Sequence, residues 1–200
     1  MKTNVLGKIT DYVVKIEFQQ RGTPHIHLFL WVEGAPVYGV NSDEEVCDFV
    51  DKYIQCNIPS VDEDEDLHHL VLRCQVHKCL KSKCRKKKSQ ACKYNFPRLP
   101  SDKTVICKGQ DCDEYEDLTK EDKDRIKEFN DKIKGKLSSK DEEYLNLETL
   151  LSSLGVSKVW YETVFLKFCF KEPTIIHKRK PNECWINNYN PHTLKLMRAN

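Results

Sequence analysis

The stretch from Val71 to Ser101 constrains this chain more than any other feature. It holds ten Lys or Arg residues, no acid, and Cys74, Cys79, Cys84 and Cys92 beside His77. From residue 77 to 100 it shows neither the helical nor the strand period from which a core face is built. A loop of that kind has no apolar face to order it, so something else must hold it. His77, Cys79, Cys84 and Cys92 give the spacing His-x-Cys-x4-Cys-x7-Cys. One imidazole and three thiols so close in sequence suit a closed tetrahedral Zn²⁺ site, and the metal would supply the missing order. The interleaved lysines would lower the thiol pKa values. Cys74 and Cys107 stand as substitute ligands, and free thiols in a basic loop are the plainer alternative.

Composition matters here mainly through its arrangement. The net charge of the 200 residues is only +2, with 33 basic and 31 acidic side chains. That near-cancellation hides blocks: Asp-Glu-Asp-Glu-Asp at residues 62–66, the basic stretch, then an acidic balance from Asp111 to Glu143. Such blocks read as a polyanion-binding patch beside solvated faces. Arg85, Lys86, Lys87, Lys88, Lys93 and Arg98 are the candidates to contact DNA phosphates, each adding salt-dependent affinity. Tyr94 and Phe96 could stack on unpaired bases, although packing against the first hairpin is the more expected use. No apolar run approaches a membrane span, and no signal-peptide pattern opens the chain. The expected location is therefore intracellular. Of the ten cysteines, Cys47, Cys56, Cys169 and Cys184 read as buried thiols.

The expected fold class is α+β: a small antiparallel sheet with helices on one face, a zinc loop, and a helical C-terminal part. Tyr12–Phe18 and Ile26–Val32 read as strands of a hairpin around Gln19–Thr23. Ser42 to Glu45 is a capping box, and Val46, Phe49, Val50, Tyr53 and Ile54 follow at helical spacing. Leu67, Leu70, Val71 and Cys74 mark a second helix, with the acidic run before it ending the preceding unit. Residues 101–117 read as a linker. Leu118, Ile126, Phe129, Ile133 and Leu137 mark a largely solvated helix. Ser139 to Glu142 is another capping box, followed by Tyr144, Leu147, Leu150, Leu151 and Leu154, with Gly155 closing the helix. The apolar run from Val159 to Phe170 fits helix or strand, its aromatics being core. The implied organisation is 1–60 (hairpin and first helix), 61–100 (helix and zinc loop), 101–139 (acidic linker and exposed helix) and 140–200 (helical segment).

The hairpin carries a second candidate metal site. Side chains alternate along a strand, so His25 and His27 share a face. If the turn centres on Arg21, Glu17 lies opposite His25. Two imidazoles and a carboxylate then converge, with Cβ atoms of opposed residues ~5 Å apart. That set suits a divalent ion with open positions. Mg²⁺ or Mn²⁺ there would polarise a scissile phosphate. A pair of half-buried histidines is the alternative.

Glu17-Phe-Gln-Gln-Arg-Gly-Thr-Pro-His-Ile-His-Leu28 resembles the second motif of the rolling-circle replication initiators, and most closely that of the helitron transposase family. Cys92-Lys-Tyr-Asn-Phe-Pro-Arg98 and Arg179–Asn190 are similar to further stretches of that family. The resemblance implies a His-hydrophobic-His nuclease fold with Glu17, His25 and His27 as metal ligands. It implies single-stranded DNA as partner and nuclear action, with a tyrosine on a later helix attacking the phosphate. It also implies helicase and tyrosine segments in a longer chain. Cys79 stands where the family's usual pattern has a second histidine.

The eight tyrosines are scattered, none in the family's tyrosine–lysine helix arrangement, and no Gly-x4-Gly-Lys-Ser/Thr occurs. The expectation is thus a transposase fragment without its catalytic residue. Whether the chain is an enzyme stays open. The alternatives are a non-catalytic, zinc-stabilised nucleic-acid-binding module, or an unstable product with no function.

Overall fold

The computed structural model describes residues 5–18, 24–80, 84, 92–139 and 143–198. The chain divides into two units, residues 1–49 and 50–200. It is α+β, with two separate two-stranded antiparallel sheets.

In the first unit, β1 (Ile9–Phe18) pairs with β2 (Pro24–Val32). The register sets Glu17 opposite His25 and Lys15 opposite His27, as a turn centred on Arg21 requires. Glu33 N–H donates to Lys8 O, and the Lys8 and Glu33 side chains pair at 2.8 Å, which closes the open end of the hairpin. One face carries Tyr12, Val14, Ile16, Phe18, Ile26 and Leu28, all of them exposed. Helices were expected to cover one face of this sheet; within the first unit no described residue buries it. A two-stranded ribbon gains little stability from its own pairing, and this one hides almost none of its apolar surface. After the hairpin, Ser42 caps α1 (Asp43–Tyr53). Its backbone N–H donates to Glu45 Oε2, and Glu45 N–H donates back to Ser42 Oγ, completing the expected capping box.

The second unit holds the core. α2 (Val61–Cys74) starts one residue ahead of the acidic run and takes it in, rather than starting after it. Ser60 and Glu63 form a reciprocal capping box, and Asp62, Glu63 and Asp64 occupy the first turn, where carboxylates meet the positive end of the helix dipole. Asp64 itself leaves helical geometry, and its Oδ1 accepts from Leu67 N–H, so it caps the remaining turns afresh. Leu67, Leu70 and Val71 then pack with Ile186, Tyr189 and Leu194, the last on α8 (Pro191–Arg198).

Residues 101–117 do not behave as a linker. They contain β3 (Val105–Cys107), which pairs with β4 (Thr174–Ile176), and α3 (Asp113–Glu116). Gly109 adopts φ +86°, and a Cβ there would sit 2.7 Å from Lys171 O, so the turn after β3 needs glycine. α4 (Lys120–Ser138) is capped by Thr119 and turns Ile126, Phe129, Ile133 and Leu137 inward, all buried. They meet Leu147, Leu150 and Leu151 of α5 (Leu147–Ser153). Asn146 caps α5, while residues 140–142 of the expected capping box lie outside the described residues. Gly155, at φ +68°, ends that helix in a left-handed turn.

The Val159–Phe170 run is helical up to Phe168: α6 (Lys158–Trp160), a π-helical turn (Tyr161–Phe165) and α7 (Leu166–Phe168) follow without a break. Its aromatics are core, as expected. Phe165 lies edge-on to Phe129 at 4.8 Å, and the fully buried Tyr161 donates its hydroxyl to Pro100 O at 2.8 Å. No described helix is long and apolar enough to cross a membrane.

Candidate metal centres and their surroundings

His77, Cys79, Cys84 and Cys92 come together in the second unit, their ligand atoms all within 4.8 Å of one another. Donors on a tetrahedral zinc ion are separated by roughly 3.5–3.8 Å, given Zn–S and Zn–N lengths of about 2.3 and 2.0 Å. Cys92 Sγ lies 3.3 Å from His77 Nε2. Cys84 is buried and the other three are partly buried, so the cluster is screened yet reachable. This donor set fits a structural metal such as zinc. Cys74 is exposed and outside the cluster. Cys107 is fully buried and donates to Lys167 O, so neither residue joins the group of four. Cys47, Cys56, Cys169 and Cys184 are buried thiols, as expected.

Protonation tendencies differ across the cluster. Burial, then the nearby Arg98 cation, lowers the pKa of His77 and keeps its imidazole neutral. Burial works against a thiolate at Cys92, but backbone N–H groups of Phe96 and Tyr94 and the Cys79 and Cys84 thiols donate to it, and its pKa falls. Cys79 moves the other way, raised by burial and by the Cys92 sulfur. A cation would neutralise the charge these sulfurs concentrate.

Three structural elements hold the cluster in place. His77 N–H donates to Trp185 O, Val76 bridges Ile186, and Arg98 N–H donates to Cys184 O. The segment around Cys184–Ile186 is therefore a spine to which both flanks of the metal loop are pinned. Arg179 stiffens that spine: its buried guanidinium donates to Ile186 O at 2.7 Å and Asn188 Oδ1 at 2.7 Å. From α4, Lys134 Nζ donates to Asn95 Oδ1 at 2.5 Å, gripping a residue held at φ +61°.

Stacking completes the support. Phe96 is buried and lies parallel to His77 at 4.2 Å, with Trp185 also parallel. Phe96 thus packs on the imidazole of the candidate ligand His77. Arg98 sits with its guanidinium 4.7 Å over Phe96, half-buried. Tyr94 differs: it is 53% exposed, edge-on to His77, with Lys93 Nζ 4.8 Å over its ring. Lys93 is exposed. Arg85, Lys86, Lys87 and Lys88 lie outside the described residues.

In the first unit, the strand register brings Glu17, His25 and His27 to one face of the hairpin. His27 Nε2 lies 3.2 Å from Glu17 Oε2, and Lys15 Nζ pairs with Glu17 Oε1 at 2.7 Å. The His25 side chain is outside what the structure describes.

Residues 1–30 match the family model for the Helitron helicase-like domain at N-terminus. The matched segment contains β1 and most of β2, and with them Glu17, His25 and His27. The similarity to helitron proteins is confined to that segment. No curated protein and no solved structure matches it.

Sequence reasoning missed the spine. Arg179 to Asn190 carried a family resemblance but no assigned role. The run Cys-Trp-Ile-Asn-Asn at 184–188 shows no strand period, so no local sequence signal marked it.

Proposed function

We propose that this chain is the metal- and single-stranded-DNA-binding part of a helitron-type rolling-circle endonuclease, acting in the nucleus. The observation that carries the reading is the Glu17–His25 register inside the helitron-matched segment. That backbone register, with His27 two residues further along β2, supports Glu17, His25 and His27 as ligands of one divalent ion with open positions, for which we propose Mg²⁺ or Mn²⁺. Such an ion would hold and polarise a scissile phosphate of the strand. The His/Cys cluster takes zinc and orders the basic loop, whose cations Arg85, Lys86, Lys87, Lys88 and Lys93 track the phosphates. Tyr94 offers an exposed ring for a base. Arg98 serves the metal loop, since its guanidinium is stacked inward on Phe96.

The family's tyrosine nucleophile has no counterpart in Tyr161 or Tyr189, both buried with their hydroxyls donated to backbone carbonyls. The expected behaviour is binding without covalent capture. Incubation of the zinc-loaded chain with a labelled single strand and Mn²⁺ should give a salt-sensitive complex that denaturant dissolves. A denaturation-resistant adduct would place a nucleophile within this chain and overturn that assignment.

A second reading, a zinc-stabilised binder with no hairpin metal, draws on one specific observation. Glu17 is already paired with Lys15 and His27, an arrangement that is satisfied without an ion. His25→Ala separates the two. Loss of Mn²⁺ binding supports the endonuclease reading; unchanged Mn²⁺ binding supports the second.

A further inference from the structure

The second unit contains a cavity of about 710 Å³, lined by the end of α1, the following turn, Ser101–Asp102 and the segment from His177 to Glu183. None of the His/Cys cluster lines it. Its walls gather the buried polar groups of this unit. Among the described residues, the buried polar and charged side chains are Ser101, Thr104, Arg179 and Glu183. Ser101, Arg179 and Glu183 line the cavity, and Thr104 donates from Oγ1 at 2.5 Å to Asp51, which also lines it. Polar groups are costly to bury, and their concentration around one hollow marks a place built for a ligand.

The free valences there define the ligand. The carboxylates are already engaged. Asp51 is held by Thr104, Asp102 pairs with Lys158, and Glu63 accepts from Ser60 N–H. Glu183 accepts from Ile58 and Lys180 N–H. Arg179 is committed to backbone carbonyls and Asn188. The ammonium groups of Lys178 and Lys180, both exposed, enter no ion pair among the described residues. Within the wall, His177 Nδ1 is buried without a hydrogen-bond partner. Two exposed ammonium groups and an unpartnered ring nitrogen on one lining suit a molecule with an anionic end and a neutral hydrogen-bonding end. The volume lies within the usual 300–1,000 Å³ range of small-molecule pockets.

We propose that this cavity binds a single nucleotide, its phosphate on Lys178 and Lys180 and its base against His177. The nucleotide is either one unit of a bound strand or a free mononucleotide; the strand case rests on the DNA-binding reading above.

The test titrates the zinc-loaded full chain with a deoxynucleoside monophosphate, with inorganic phosphate, and with a labelled single strand. Saturable nucleotide binding is expected, with inorganic phosphate at least about tenfold weaker. The Lys178→Ala/Lys180→Ala double variant, altered only at exposed positions, should weaken the nucleotide at least about tenfold, and His177→Gln should weaken nucleotide but not phosphate. If free nucleotide competes with the strand, the strand unit is the occupant; if both bind without competition, the free nucleotide is. Nucleotide affinity unchanged in the double variant, or phosphate bound as tightly as nucleotide, overturns the proposal. No binding of nucleotide to the wild type also overturns it. A strand that fails to bind while the nucleotide does would defeat the DNA-binding reading and leave the cavity assignment standing.

Discussion

The two units of this chain solve the problem of order in opposite ways. The second unit buries its apolar residues around α4, α5 and the π-containing helix, and adds a His/Cys cluster where no core is possible. The first unit pairs two strands with good register and leaves Tyr12, Phe18, Phe29 and Trp31 open. Backbone pairing fixes which residues face each other, but burial decides what that arrangement is worth in free energy. The candidate hairpin site therefore has defined residues on an unsupported ribbon, whereas the His/Cys site is held from several sides.

Removing the metal should have the largest effect. Structural zinc contributes about 10–16 kcal/mol of apparent binding energy in small zinc domains. Cys84→Ser should therefore abolish stoichiometric zinc and expose the loop. Loss of amide-exchange protection around residues 76–77 and 184–187, with a shift in Trp185 fluorescence, checks this. Next in size is Phe165→Ala, which removes a fully buried ring and should destabilise the second unit by about 3–5 kcal/mol in urea unfolding. Its counterpart, Ile16→Ala in β1, should cost within about 0.5 kcal/mol, because Ile16 is exposed. A cost at Ile16 comparable to that at Phe165 would mean that the hairpin is buried in solution, and the contrast between the units would collapse.

A pH dependence should separate the units more finely. Burial lowers the pKa of both His77 and His177 below the ordinary 6.5. The folded state then binds fewer protons than the unfolded state, so this stability is present above pH 6.5. It is lost as pH falls through the lowered folded values. Metal-free melts of the second unit should weaken below pH 6.5, and His177→Gln should flatten that fall. The smallest effect expected is on DNA. Lys93→Ala should reduce the slope of log affinity against log salt by about 0.7 for a single strand.

Much of this was legible in the sequence. The His-x-Cys-x4-Cys-x7-Cys spacing sufficed for the His/Cys cluster, because four such donors so close along a chain have few other uses. The hairpin register followed from strand periodicity and the turn centre alone. Three things were not legible. The 101–117 stretch reads as polar linker because β3 has only three residues, too few to show a period; its pairing with β4 is a long-range fact. The first turns of α2 hold an acidic run that resembles a solvated spacer, although Ser60 and Glu63 carry a capping-box signature. Phe96 was assigned to the hairpin or to bases because no local rule predicts that Trp185, far along the chain, completes its stack.

X-ray absorption at the zinc edge of the purified full chain tests the metal-ordered second unit most directly. The expected spectrum is one zinc per chain with three sulfur ligands at about 2.3 Å and one nitrogen at about 2.0–2.1 Å. A first shell of oxygen and nitrogen alone, or of four sulfurs, would contradict the site formed by His77, Cys79, Cys84 and Cys92.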